Sequence, residues 1–228
     1  MADFNGDGIP DLAIIGGAIE PFVLIWLGNG DGTFRQRALV VGPQYALSCG
    51  TGDLNGDGKA DLVVQEEACA GYYCSDATAI YLGNGDGTFE WAGYTYPNVG
   101  YWAPVITDLN GDGKQDIAAG GGDDAWVALG NGDGTFGMPA SYGAGFAGSI
   151  AFGDFNHDGK KDLAANGAGT VDILLGNGDG TFQPQIQFVT GGCSSAVVAA
   201  DFNGDGKPDV ATANNCSNSV TILLNSTE

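Results

Sequence analysis

A nine-residue phrase, Asp-x-Asn-x-Asp-Gly-x-x-Asp, occurs five times in this chain, beginning at Asp3, Asp53, Asp108, Asp154 and Asp201. A second phrase, Gly-Asn-Gly-Asp-Gly-Thr-Phe, follows four of the copies, beginning at Gly28, Gly83, Gly130 and Gly176. Two phrases repeated in phase are the mark of one supersecondary unit copied along the chain. The repeats run from residue 3 to the end of the 228 residues, so the chain reads as a single domain of five units.

The fourth unit shows the plan. A short apolar run, 149–152, leads into the loop at Asp154; a second follows at 163–165 and a third at 171–175; a fourth, 186–189, lies beyond the turn at Gly176. Short apolar runs bounded by Gly, Asn and Asp read as strands. Each unit is therefore expected to be four antiparallel strands. The third strand keeps an apolar period of two in every copy, ending in Leu27, Leu82, Leu129, Leu175 and Leu224, with Ile25, Ile80, Val127, Ile173 and Ile222 two positions earlier. The intervening residues (Trp26, Tyr81, Ala128, Leu174 and Leu223) are also nonpolar, so both faces are expected to be buried, as in small sheets stacked around an axis. Trp26 and Trp126, both in third strands, are expected in the core.

The first phrase is a set of hard oxygen donors. In the first loop Asp3, Asn5 and Asp7 offer side-chain oxygens, Ile9 a backbone carbonyl and Asp11 a closing carboxylate. The same roles fall on Asp53, Asn55, Asp57, Lys59 and Asp61, then on Asp108, Asn110, Asp112, Lys114 and Asp116. The last two loops offer Asp154, Asn156, Asp158, Lys160 and Asp162, and Asp201, Asn203, Asp205, Lys207 and Asp209. Oxygen donors at alternate positions, with glycines letting the chain curl, suit calcium; magnesium wants stricter octahedral geometry and keeps its waters. The position-7 lysines fit a backbone ligand whose side chain points to water. The Gly-Asn-Gly-Asp-Gly turns, with one carboxylate each, are read as structural hairpins tolerant of positive φ.

Charge supports this reading. Of 28 acidic residues, 15 are the loop aspartates, against only 7 Lys and Arg, for a net charge of −21. Carboxylates about 4 Å apart repel by roughly 4 kcal/mol per pair at an effective dielectric near 20. Five calcium ions would leave −11. No basic patch exists to hold nucleic acid through its phosphates, and no apolar run is long enough to span a bilayer. No signal peptide precedes the first loop, so the natural start is expected to have been removed or the chain to be an excised piece. Weak loops of this kind fill at millimolar calcium, which places the protein outside the cytoplasm, secreted or at the cell surface. Cys69 with Cys74 and Cys193 with Cys216 are candidate disulfides, leaving Cys49 over; free thiols throughout is the alternative.

Asp-Phe-Asn-Gly-Asp-Gly-x-x-Asp-Leu followed by Leu-Gly-Asn-Gly-Asp-Gly-Thr-Phe resembles the FG-GAP/VCBS repeat of integrin α-subunit propellers, some lectins and many secreted bacterial proteins. The resemblance covers essentially the whole chain. It implies an all-β propeller of four-stranded antiparallel blades with calcium in the loop between the first two strands of each. Five repeats suggest a five-bladed ring; part of a larger one, such as seven blades, is the alternative. The first repeat lacks most of strand one, and the last lacks the turn and strand four. Closure of the ring with an incomplete blade is the favoured outcome, and pairing of open edges with another chain by strand addition the other.

Catalysis is not expected. The one histidine, His157, replaces a glycine inside a loop and is expected to face solvent. Glu66 and Glu67 are adjacent on a strand and point to opposite faces, so they make no acid–base pair. The second repeat, the longest, carries Tyr72, Tyr73, Trp91, Tyr94, Tyr96, Tyr101 and Trp102 as candidate ligand residues for sugar stacking or a protein interface; filling gaps between blades is the alternative. The resulting expectation is a non-catalytic, lectin-like or adhesion-like calcium-binding module for carbohydrate or extracellular protein. A structural subunit joined through open edges, or an accessory domain of a larger secreted enzyme, are the alternatives.

Overall fold

A computed structural model describes residues 1–16, 22–40, 46–70, 73–95, 100, 102–145 and 147–227. The described residues form five antiparallel sheets, each a meander with its strands in chain order. Blade 1 holds β1 (Leu12–Gly16), β2 (Phe22–Gly28) and β3 (Phe34–Val40). Blade 2 holds β4 (Ala46–Gly52), β5 (Asp61–Ala70), β6 (Tyr73–Gly83) and β7 (Phe89–Thr95). Blade 3 holds β8 (Val105–Thr107), β9 (Asp116–Gly121), β10 (Asp124–Ala128) and β11 (Ala140–Gly143). Blade 4 holds β12 (Ile150–Gly153), β13 (Asp162–Asn166), β14 (Thr170–Leu174) and β15 (Ile186–Val189). Blade 5 holds β16 (Ser194–Ala200), β17 (Asp209–Asn214) and β18 (Ser219–Leu223). The four-strand unit read from the sequence is the unit observed, and the fold is an all-β array of propeller-type blades. The outer repeats have three strands each; a single bridge between Ala2 and Asp11 is all of strand one in blade 1.

Consecutive blades are joined by apolar packing. Each blade turns one face, called here the forward face, toward the next blade, whose rear face meets it. Val23, Ile25 and Leu27 of blade 1 pack with Leu62, Val64 and Tyr81 of blade 2. Val63 and Ile80 of blade 2 meet Ile117 and Ala128 of blade 3. Val127 and Ala118 of blade 3 meet Leu163 and Leu174 of blade 4, and Val171 and Ile173 of blade 4 meet Val197 and Val210 of blade 5. The period of two in each strand produces this, because it sends alternate side chains to opposite faces and so to different neighbours.

Two expectations change. No core cluster among the described residues joins blade 5 to blade 1, so the favoured ring closure is not what the described residues show. The third strand of blade 5 is also not buried on both sides: Ile222 and Leu224 are exposed because no blade packs beyond them. Trp26 and Trp126 are both half-buried; Trp126 packs against the core between blades 2 and 3, and Trp26 lies on the rear face of blade 1. Between blades 4 and 5 lies an apolar cavity of about 300 Å³, lined by Phe155, Ile173, Leu175 and Phe188 among others. At the interface of blades 1 and 2 the Phe89 ring sits edge-on to Phe4, the counterpart of Phe155, with centroids 5.4 Å apart.

Candidate cation loops and an aromatic surface

The five acidic loops and the Gly-Asn-Gly-Asp-Gly turns lie at the same end of their blades, because they close the first and third connections of a four-strand meander. In each loop the position-1 carboxylate gathers backbone amides. Asp3 Oδ2 accepts from Gly8 N at 2.8 Å, and Oδ1 accepts from Gly6 N and Asp7 N at 2.7 and 3.2 Å. These amides, Gly8 first, hold the Asp3 carboxyl below the ordinary carboxylate range; Gly206 does the same first for Asp201. The position-3 amide oxygen accepts from the position-5 backbone, as Asn55 Oδ1 does from Asp57 N at 3.0 Å. The position-5 carboxylate accepts from the position-7 backbone, as Asp112 Oδ1 does from Lys114 N at 2.9 Å. The side chains of positions 1, 3 and 5 are thus each held by the backbone amides of their own loop.

This curl needs left-handed backbone at position 4, where Gly6, Gly56, Gly111 and Gly204 have φ of 74°, 74°, 75° and 80°. His157 occupies the same place in the fourth loop at φ 59° and faces solvent as expected. Three lysines do not point freely to water: Lys59, Lys114 and Lys160 fold back on Asp57, Asp112 and Asp158 at 3.1, 3.6 and 3.4 Å. Their stems lie against Gly85, Gly132 and Gly178 of the neighbouring turns, where a Cβ would lie 3.0 Å from the lysine Cδ and push it aside.

The closing aspartates behave differently from the rest. Asp11, Asp61, Asp116, Asp162 and Asp209 are fully buried. One oxygen of each accepts from the second residue of its own loop (Phe4, Leu54, Leu109, Phe155 or Phe202) at 2.8–3.0 Å. The other accepts from the end of the third strand, at Gly28, Gly83, Gly130, Gly176 or Asn225, at 2.7–2.8 Å. The closing carboxylate therefore ties loop to sheet. Burial raises the carboxyls of Asp61, Asp116 and Asp162 above their ordinary value, against the lowering effect of the two amides. Sequence reasoning treated these residues as ligands and missed the tie; the signal was present, since each stands directly before the first apolar residue of a buried strand.

The donor set fits a hard cation in type: two carboxylates, an amide oxygen and a main-chain carbonyl per loop, each oxygen with lone pairs beyond those its hydrogen bonds use. The closing carboxylate is held on its two amides, and no three His, Cys, Asp or Glu side chains gather into a cation site among the described residues. In the turns the carboxylate is committed internally. Thr33 donates to Asp31 Oδ1 from both its amide (2.9 Å) and its hydroxyl (2.5 Å), and the other three turns repeat the pattern.

Of the candidate aromatic residues, Tyr72, Tyr96 and Tyr101 lie outside the described residues, and Tyr73 is described only as backbone of β6. Trp91 and Trp102 are exposed. Trp91 meets Tyr94 edge-on at 5.6 Å, and the Tyr94 hydroxyl donates to buried Glu66 Oε1 at 2.8 Å, a partner the sequence did not reveal. Burial raises the Glu66 carboxyl, and its Oε2 has no partner among the described residues; Glu67 faces solvent. Cys193 and Cys216 form a disulfide and Cys49 is a free, half-buried thiol. Cys69 and Cys74 face each other across the β5–β6 hairpin in backbone register. No helix among the described residues is long and apolar enough to cross a membrane.

The FG-GAP-like repeat model matches residues 3–64, 68–119, 108–165 and 154–212, and the chain belongs to this repeat family. No curated protein matches the chain. Among solved structures, the Vibrio cholerae biofilm matrix protein Bap1 shares the fold at TM-score 0.54 and 19% identity, over 100% of this chain and 37% of Bap1. A lectin of Agrocybe aegerita, described as recognising non-reducing terminal N-acetylglucosamine, aligns at TM-score 0.46 and 19% identity, over 96% of this chain and 81% of the lectin. The Photorhabdus luminescens Tc holotoxin pore aligns at TM-score 0.42 and 21% identity, over 98% of this chain and 12% of that one.

Proposed function

We propose that the chain is a non-catalytic, calcium-loaded blade array that works outside the cell and binds carbohydrate or protein. The observation that carries this reading is the row of five loops whose exposed carboxylates share one end of the array, in a chain of net charge −21. In each loop the side-chain oxygens of positions 1, 3 and 5 and the carbonyl of position 7 hold the ion, for example Asp53, Asn55, Asp57 and Lys59. The ion neutralises the loop and stiffens the end of the blade, while the closing aspartate fixes the loop to its sheet. Ligand contact falls to Trp91 and Trp102, whose exposed ring faces suit a sugar or an apolar protein surface.

A glycan array probed in calcium and again in chelator tests this reading. Binding that requires calcium and is lost in Trp91→Ala or Trp102→Ala supports it; binding indifferent to both changes overturns it. A second reading, an assembly subunit, is favoured by the uncovered blade faces.

A further inference from the structure

The inter-blade interface is built four times inside this molecule, and its two halves are also exposed, one on blade 1 and one on blade 5. On the forward face of blade 5, Val220, Ile222, Leu224 and Phe202 are 66%, 51%, 57% and 45% exposed. Their counterparts in blade 1, Val23, Ile25, Leu27 and Phe4, are all buried against blade 2. On the rear face of blade 1, Ile14 is 42% exposed, whereas its counterparts Val64, Ala119, Ala165 and Thr212 are buried in blades 2 to 5.

The finer contacts are unpaired in the same way. At the interface of blades 1 and 2, Gly87 N donates to Phe4 O at 2.9 Å and Leu27 Cδ2 would lie 3.2 Å from a Cβ on Gly87. Blades 2 and 3 repeat this with Gly134 N on Leu54 O at 3.1 Å and Leu82 against Gly134. The equivalent turn glycine of blade 1 is Gly32, which has nothing within 4 Å, and the equivalent leucine of blade 5 is the exposed Leu224.

The geometry points to head-to-tail association of this chain, the forward face of blade 5 in one copy packing on the rear face of blade 1 in a second. The occupant is a second copy because both halves belong to one chain and match, position by position, an interface that already holds consecutive blades together. Phe202 and Leu224 take the roles of Phe4 and Leu27; Ile14, Gly32 and Phe34 take those of Val64, Gly87 and Phe89. The contact is heterologous, so it propagates or closes into a ring and is not a two-fold dimer. It uses blade faces, not the strand edges.

Two single substitutions test it, Ile222→Asp on the forward face and Ile14→Asp on the rear face. Both side chains are partly exposed in the single chain, at 42% for Ile14 and 51% for Ile222, so each variant is expected to retain the fold, which circular dichroism checks. Light scattering on the wild type is expected to show a mass that rises with concentration from 23.1 kDa to at least twice that value. Each variant alone should stay a monomer, and an equimolar mixture should form a 1:1 dimer, since each then contributes one intact face. A wild type that stays at 23.1 kDa up to about 200 μM, an Ile14→Asp variant that still dimerises alone, or a mixture that stays monomeric overturns the inference.

Discussion

Replacing a closing aspartate separates its role as a tie from any role as a ligand. Asp162 is fully buried and accepts from Phe155 N and Gly176 N, each at 2.8 Å. Asp162→Ala leaves two buried amides unpaired, at about 1–3 kcal/mol each, so the variant loses about 2–6 kcal/mol. Asp162→Asn keeps one acceptor oxygen and turns an NH₂ toward the other amide, so it loses about 1–3 kcal/mol. For a chain of this size each kcal/mol corresponds to about 2–4 °C, so the alanine variant melts roughly 4–24 °C lower. The assay is thermal or urea unfolding in excess chelator, where no cation contributes. Asp154→Asn, whose carboxylate lies in the exposed part of the same loop, is the control and shifts by less than about 1 kcal/mol because water replaces its bonds. Both Asp162 variants unfolding like the wild type in chelator would show that the closing carboxylate matters only as a cation ligand and refute the tie.

Three further outcomes follow from particular residues. His157→Gly should stabilise the fourth loop by about 1 kcal/mol, because a left-handed backbone costs a side-chain-bearing residue more than it costs glycine; a urea midpoint that falls would contradict this. Tyr94→Phe removes the hydroxyl that donates to Glu66. The raised Glu66 carboxyl contributes stability below its unfolded value that is lost as pH rises through its folded value, and loss of the hydroxyl raises the folded value further. The cost should therefore be about 1 kcal/mol in acid and about 1.5–3 kcal/mol at neutral pH, and a pH-independent cost would refute it. Cys193→Ser opens a loop of sequence separation 23 and should cost about 3 kcal/mol; an unchanged unfolding free energy would show that β16 and β17 hold without it.

Much of this architecture was legible because the repeats supply internal comparison. Five copies of one loop locate the blades, and the alternation ending at Leu27, Leu82, Leu129 and Leu175 gives the third strands, which are buried on both faces in blades 2 to 4. The same pattern in blade 5 misleads, because Val220 and Ile222 carry the periodicity of a covered strand while nothing in the sequence says what covers them. Sequence spacing also concealed the Tyr94–Glu66 pair, which joins residues 28 apart through the sheet. The fold-back of Lys59, Lys114 and Lys160 was hidden for a different reason: a lysine at a backbone-ligand position reads as solvated, and only the proximity of the turn glycines shows where its stem rests.

The central claim is that the five acidic loops are cation sites, and calorimetric titration of the chelator-stripped protein with calcium tests it most directly. The account predicts stoichiometric uptake approaching one ion per loop, with a rise in melting temperature that tracks occupancy and is reduced when Asp53, Asp57 or their counterparts are changed to alanine. A flat titration at millimolar calcium, with an unchanged melt, would contradict it.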